Sequence, residues 1–322
     1  MKLLKMKNIG REVGVLIALL VMIFIFTILD SSYFTAGNMV DIVKMATING
    51  ILAIGITFAI ISGGIDLSIG CTFAIVIVAV GSFSVMGIPS LVCIFIGVLI
   101  GAVLGIINGL LITKMRLQPF IATLGTMSIY RGFAYVLTGG WPVLNIPTAF
   151  RRTLGARIIG DIPVSIVVLI AIAIVTHTLL QRTRFGNYLF AVGGNEEAAK
   201  LAGVNVDLTK IIAYLTCGVC AAFAGMIMLA NLGTGEPAAG NGYELDAIAA
   251  SAIGGTRMAG GRGSIVGTLL GALLLAALKI GLIITGVSTF WQFIVTGIII
   301  VIAAYFEVIQ TTISMMISKK AK

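Results

Sequence analysis

Long apolar stretches separated by short polar loops run through this chain of 322 residues. A helix of about 20 apolar residues crosses the hydrocarbon core of a bilayer. The stretches do not alternate apolar and polar residues, so helices rather than a β-barrel are expected. The pattern predicts one domain, residues 1–322, of the all-α class: a polytopic membrane bundle of about ten transmembrane helices, of which the second and eighth are short. The predicted spans are 13–29, 47–62, 67–87, 91–112, 120–138, 163–181, 211–232, 244–256, 264–285 and 290–308.

The composition excludes an ordinary soluble protein. Hydrophobic residues make up 59% of the chain and charged residues only 10%, where a soluble domain averages about 25%. The net charge is +9, but 15 of the 21 lysines and arginines fall at the termini and in the loops on one side of a ten-span topology. This positive-inside bias predicts that both termini are cytoplasmic. The basic charge therefore indicates orientation and contact with membrane lipid, with no nucleic acid partner.

Glycine appears in two kinds of pattern. In the fourth predicted span, Gly97, Gly101, Gly105 and Gly109 recur every four residues, a spacing that lets membrane helices pack closely. Two other groups, within 62–70 and 253–264, are expected to interrupt helices. Interrupted helices near the centre of a transporter often line its path, because unwound backbone is tolerated only beside a cavity.

The segment 182–210 is a polar island between apolar spans, and the topology places it in the cytoplasm. Within it, Asn195 is suited to cap a helix, Glu196 and Glu197 fall in the first turn, where the helix dipole favours acids, and Gly203 is suited to end it. We predict a helix of about two turns, parallel to the membrane. The residues alone leave two interpretations open: an ordinary solvated loop helix, or a helix that transmits movement from a partner ATPase. Arg182, Arg184 and Lys210 are expected to anchor span ends at the lipid surface.

The chain has no motif for hydrolysing ATP, since the G-x-x-x-x-G-K-[ST] pattern is absent. We expect a protein that is not an enzyme and holds no metal or other cofactor. Asp66 and Asp246 fall near predicted span ends, and the long side chains of Arg131 and Lys279 are expected to reach the membrane surface. Small or polar residues are the best candidates to line a path: Asn49, Thr57, Ser62, Asp66, Asn108 and Thr123.

These features allow two functions. A secondary transporter or passive channel for a small polar solute would act alone, and Asp66 keeps that possibility open. A permease driven from outside would need partners to supply the energy, and the polar island provides a place for one of them.

Several motifs resemble the permease subunits of ATP-binding-cassette importers. Glu197-Ala198-Ala199, followed by Gly203, matches the cytoplasmic E-A-A-x-x-x-G signature of that family, although Val204-Asn205-Val206 replaces the usual continuation. The departure points to the ribose/xylose/galactoside branch. The matching motifs include Ile61 to Ser68, Pro119 to Gly125, Ala191 to Asn195, Gly242 to Ala250 and Gly260 to Ser264, and the similarity runs from about residue 33 to 308.

The resemblance implies a multi-pass protein of the bacterial plasma (inner) membrane. It implies a homodimer or a pair with a paralogous permease, two ATPase subunits that bind ATP and Mg, and an extracytoplasmic sugar-binding protein. The coupling residues it implies are Asn195, Glu196, Glu197, Ala198, Ala199 and Gly203. The cargo would be a monosaccharide, or a nucleoside if the chain belongs with the nucleoside-importing relatives.

Overall fold

The computed structural model describes residues 2–156, 163–288, 290–292, 294–299, 301, 302 and 305, with backbone alone for residues 2–11. Between residues 2 and 284, the described chain forms twelve α-helices and a short 3-10 helix, Ser31–Phe34; the described residues from 290 onward are helical as well. The α-helices are α1 Lys2–Leu29, α2 Ala36–Ile61, α3 Ile69–Val85, α4 Ser90–Thr113, α5 Pro119–Thr138, α6 Thr148–Leu154, α7 Val164–Arg182, α8 Arg184–Gly194, α9 Glu196–Leu201, α10 Val206–Leu232, α11 Tyr243–Ile253 and α12 Ile265–Ile284.

Seven helices in the described part of the chain are long and apolar enough to cross a membrane: α1, from Glu12 onward, and α2, α4, α5, α7, α10 and α12. Two predicted spans correspond to shorter helices, α3 and α11, of 17 and 11 residues. At about 1.5 Å per residue, α11 is too short to cross a bilayer core. The last predicted span, 290–308, and the C-terminus lie partly or wholly outside the described residues.

The second predicted span, 47–62, was placed too late, because α2 begins at Ala36. The added turns contain polar residues whose groups are satisfied within the helix itself. Lys44 Nζ lies 3.0 Å from Asp41 Oδ1, one turn earlier, and the Val43 carbonyl accepts a hydrogen bond at 2.8 Å from the hydroxyl of Thr47, the first residue of the predicted span. Pairing at this spacing lets charged and hydroxyl groups remain in a helix.

The core forms where α10 packs against α2, α3 and α4. Gly101 of α4 and Gly218 of α10 lie back to back, so that a Cβ on either would overlap the backbone of the other. The remaining glycines of the stripe also contact α10, which confirms their predicted role in helix packing. Those contacts are Gly97 with Met226, Gly105 with Tyr214, and Gly109 with Ile211.

Both glycine groups interrupt helices as predicted: α2 ends at Ile61 before α3 begins, and α11 ends at Ile253 before α12 begins. These two loops, with the segments around 113–119 and 182–206, form one end of the bundle, here called the basic end. The loops 139–156 and 233–242 lie toward the opposite end.

The loop 233–242 does not lie wholly at the surface of the bundle. An isolated antiparallel bridge joins its Gly235 to Val143. From there the loop descends beside α3, because a Cβ on Gly235 would lie 3.4 Å from the Ile77 carbonyl and one on Gly240 would overlap the Gly70 carbonyl. Gly235, Pro237 and Gly240 are buried. The loop and α11 together occupy the place of the predicted eighth span.

Candidate functional site

The helix α9 forms at the position that the polar island predicts. The Asn195 side chain accepts a hydrogen bond from the backbone N–H of Ala198 at 3.0 Å, and Glu196 and Glu197 occupy the first turn. Gly203 follows the last turn with a φ of 81°, a left-handed conformation that glycine adopts without strain. The predicted cap, first turn and stop are therefore all present.

One side of α9 packs against neighbouring residues, and the rest of the helix is exposed. Ala199 is buried in a small cluster with Val192, Val204 and Val206. Glu196, Glu197, Ala198 and Gly203 are exposed, as is Leu201, whose side chain is 90% exposed.

Two ion pairs tie this region to the start of α10. Lys210 Nζ lies 2.6 Å from Glu196 Oε2, and Lys114 Nζ of the α4–α5 connection lies 2.7 Å from Asp207 Oδ2. The expectation that Lys210 anchors a span end in lipid is wrong, because its side chain is turned toward α9 and is only 15% exposed. Beside these pairs lies a cleft of about 700 Å³. It is lined by residues 112, 113, 116–119, 196, 200, 204–207 and 210.

Gly193 connects α9 to the interrupted helices. A Cβ on Gly193 would overlap the carbonyl oxygen of Ile61, at the end of α2, and would lie 2.6 Å from the backbone nitrogen of Gly261, before α12. Gly261 in turn donates a hydrogen bond to the Ile61 carbonyl at 2.9 Å. Backbone contacts at Gly193 therefore connect the segment before α9 to both helix interruptions, so a displacement of α9 would be transmitted to them.

Three of the predicted pathway residues come together at the loop between α2 and α3. Asp66 Oδ1 accepts from the backbone N–H and hydroxyl of Ser68 at 2.9 and 2.7 Å, and Asn108 Nδ2 donates to the Ser68 hydroxyl at 2.7 Å. The Thr123 hydroxyl lies 3.1 Å from the carbonyl of Ile65. Asp66, Asn108 and Thr123 are 2%, 0% and 0% exposed, and Asn108 Oδ1 has no hydrogen-bond partner among the described residues.

The other three predicted pathway residues lie apart from this cluster, all in or just after α2. Thr57 joins three helices, since its hydroxyl lies 2.9 Å from that of Ser251 in α11 and 2.8 Å from that of Thr268 in α12. Ser62 donates to the Ala59 carbonyl at 2.7 Å, and Asn49 is 6% exposed. The pathway role of all six residues stays a prediction.

A family of transport proteins matches this architecture. The family model described as the permease component of a branched-chain amino acid transport system matches residues 38–304. The chain belongs to this family. The resemblance to importer permeases that its motifs indicate is confirmed.

Curated relatives of this permease carry the names of sugar importers. The ribose import permease protein of Bacillus subtilis (strain 168) is 40% identical over 301 residues, covering 93% of this chain and 94% of the relative. The Escherichia coli (strain K12) protein of the same name is 41% identical over 295 residues, covering 91% and 92%. The D-allose transport system permease protein of E. coli (strain K12) is 36% identical over 296 residues, covering 91% and 90%. No solved structure matched.

The permease also has buried charges whose importance the sequence analysis missed. Arg131 does not reach the membrane surface, since its Nη1 donates to the carbonyls of Pro237 and Ala239, each at 2.8 Å. Nor does Lys279, whose Nζ lies 2.5 Å from Asp246 Oδ2. Glu244 is 6% exposed in the first turn of α11. The sequence did contain a signal for these buried charges: ionisable residues lie inside predicted spans, and such residues are typical of functional positions in membrane proteins.

Proposed function

We propose that this chain is the membrane-spanning permease subunit of an ATP-driven importer for a monosaccharide. Its family membership and the sugar-named relatives support this class of cargo. In this proposal the sugar arrives on a separate extracytoplasmic binding protein and crosses the plasma membrane between two permease subunits, either two copies of this chain or this chain and a paralogue.

The observation that carries the proposal is the exposed helix α9 and its connection through Gly193. ATP and Mg would be bound by two partner ATPase subunits, and the permease would hold no cofactor of its own. The ATPases would dock on Glu197, Ala198 and the exposed Leu201, with Asn195, Glu196, Ala199 and Gly203 holding the helix in shape. Nucleotide binding would bias the permease between two states by moving α9.

A movement of α9 reaches the proposed path by a short route. Gly193 contacts Ile61, the last residue of α2. The loop that follows Ile61 contains Ile65, Asp66 and Ser68, and these residues lie next to Asn108 and Thr123. We propose that Asp66, Asn108 and Thr123 contact the passing sugar when the loop shifts. The unpartnered Asn108 Oδ1 supports this role, since it is a buried acceptor that a sugar hydroxyl would satisfy. Asn49, Thr57 and Ser62 are proposed to line the path farther along α2.

Reconstitution tests the proposed function directly. The permease is placed in liposomes with its ATPase and binding protein, and uptake of labelled D-ribose, D-xylose and D-allose is followed with ATP, without ATP and without the ATPase. Uptake of at least one sugar that needs both ATP and the ATPase is expected. Labelled nucleosides in the same assay separate the nucleoside-importing alternative, and uptake of nucleosides in place of sugars would reject the proposed cargo.

The second candidate, a secondary transporter, is favoured by one observation. Asp66, Glu244 and Asp246 are buried in the bundle, and buried carboxylates are typical of proton or ion relays in membranes. Uptake by liposomes that contain the permease alone, driven by an ion gradient, would establish this candidate and overturn the ATP-driven one.

A further inference from the structure

Two interrupted helices begin at the same place in the bundle. α3 starts at Ile69 and α11 at Tyr243, and the residues around these starts are in direct contact. A Cβ on Gly70 would overlap the carbonyl of Gly240 and lie 2.6 Å from Glu244 Oε2. The rings of Phe73 and Tyr243 are 5.4 Å apart. Helix N-termini present a positive potential and free N–H groups, so this junction is a polar place inside an apolar bundle.

Arg131 of α5 reaches the same junction. Its Nη1 donates to the carbonyl of Ala239, the neighbour of Gly240, and to that of Pro237. Arg131 and Glu244 therefore both lie beside the Gly240 segment, approaching from different helices. Arg131 Nη2 and Glu244 Oε2 are nevertheless both buried without a hydrogen-bond partner among the described residues.

Such groups are costly in a folded protein. A buried donor or acceptor left unsatisfied costs about 1–3 kcal/mol, and more when it is charged. Asp246, also in α11, is as buried as Glu244, since each is 6% exposed. Unlike Glu244 Oε2, Asp246 Oδ2 has a direct partner, the ammonium group of Lys279. Within the described part of the chain, Arg131 Nη2 and Glu244 Oε2 have no hydrogen-bond partner, so a ligand that both accepts and donates would satisfy them.

We propose that Arg131 Nη2 and Glu244 Oε2 form a sugar-binding subsite at the junction of α3, α5 and α11. This inference rests on the proposed function and adds a specific place where the permease itself holds its cargo. Neighbouring hydroxyls of a monosaccharide are each able to donate and accept, so one neutral sugar satisfies the guanidinium and the carboxylate together. An inorganic anion would satisfy only Arg131, and a monovalent cation only Glu244.

Its position suits a substrate in transit. On one side of the subsite is the loop 233–242, which enters the bundle from the end opposite the basic end. On the other side is the start of α3, which follows the loop that contains Asp66 and is joined by it to the basic end. Both polar atoms are shielded in this conformation, so the sugar would enter when the loop 233–242 or α5 moves. Half-helix starts that meet at a substrate are a recurrent device in membrane transporters.

Ligand-observed NMR on the permease–ATPase complex in nanodiscs tests the subsite, with D-ribose, D-xylose and D-allose as probes. Saturation transfer to at least one sugar is expected for the wild type, in the absence of the binding protein. Glu244→Gln and Arg131→Lys should each weaken that signal by about tenfold or more, as the loss of a hydrogen bond to a charged group predicts. Asp246→Asn is the control for the sugar signal, because it alters an equally buried acid that pairs with Lys279 of α12 instead. Loss of that pair should lower its stability, so the stability of every variant is compared with the wild type.

Uptake by the reconstituted transporter, with thermal unfolding of each variant, separates the outcomes. Reduced maximal uptake by Glu244→Gln in a complex as stable as the wild type is the expected result. An unchanged sugar signal in Glu244→Gln and Arg131→Lys, or no signal from the wild type with any of the three sugars, would overturn the subsite. If ATP-dependent sugar uptake by the wild type persists in that case, the proposed function stands without the subsite; if it is absent too, both fall.

Discussion

Gly193 packs its Cα against the carbonyl oxygen of Ile61, so closely that a Cβ at residue 193 would overlap that oxygen. Gly193 lies two residues before Asn195, the N-cap of α9, and Ile61 is the last residue of α2. This backbone contact joins the exposed helix at the basic end to the first helix interruption. Coupling between sites requires a connected element with two arrangements, and this contact is the most direct candidate in the described part of the chain.

Gly193→Ala should disrupt this junction, because backbone atoms on both sides leave the new methyl group no space. We expect ATP-dependent uptake to fall about tenfold or more and the free energy of unfolding to drop by about 1–3 kcal/mol, as for overpacking elsewhere. Gly194→Ala is the matched control, since a Cβ there meets nothing within 4 Å. Equal uptake and stability in the two variants would contradict the role of this contact.

Glu197→Lys should leave membrane insertion intact but uncouple transport. Glu197 is exposed in the first turn of α9, so reversing its charge removes only about 0.3–1 kcal/mol of favourable interaction with the helix dipole. The expected loss is in binding of the ATPase, measured by co-purification and by sugar uptake. Leu201→Ser, on the same exposed helix, should weaken the same binding. Wild-type uptake by Glu197→Lys would remove α9 from the coupling role.

Lys279→Met should destabilise the permease strongly. The pair Lys279–Asp246 joins α12 to α11 at 2.5 Å, with the two side chains 18% and 8% exposed. Removing one partner of a buried ion pair leaves an uncompensated charge and costs about 3–5 kcal/mol. The double variant Asp246→Leu/Lys279→Met removes both charges and should recover most of the loss in thermal unfolding in detergent. A double variant no more stable than Lys279→Met would show that the pair is not the cause.

Gly101→Ala tests the seam between α4 and α10. The new methyl group would overlap the Gly218 backbone, so the two helices would have to separate. We expect a loss of about 1–3 kcal/mol in unfolding free energy. Gly132→Ala in α5 serves as the control, because a Cβ there has nothing within 4 Å, and alanine is favoured over glycine inside a helix. Similar unfolding curves for the two variants would argue against close packing at this seam.

Local signals in the sequence were enough to predict the membrane class, the helix interruptions and the helix α9. Hydropathy over about 20 residues depends on the solvent around a segment, and a cap such as Asn195 acts within three residues. The same local view failed for the start of α2, because it left the segment that contains Asp41 and Lys44 outside the predicted span 47–62. These two side chains pair with each other three residues apart, and that pairing is compatible with a helix as well as with a loop.

By itself, the sequence determined that this chain is a helical membrane protein with a short helix in the polar segment 182–210, since those features follow from composition and short-range pattern; its motifs added the resemblance to importer permeases. Only the tertiary structure decided which distant groups meet. Arg131 and Glu244 are 113 positions apart, and nothing in their local sequence places both beside Gly240 or pairs Asp246 with Lys279. Such contacts depend on how α3, α5, α11 and α12 pack, and packing is set by close approach across the whole bundle rather than by any one segment.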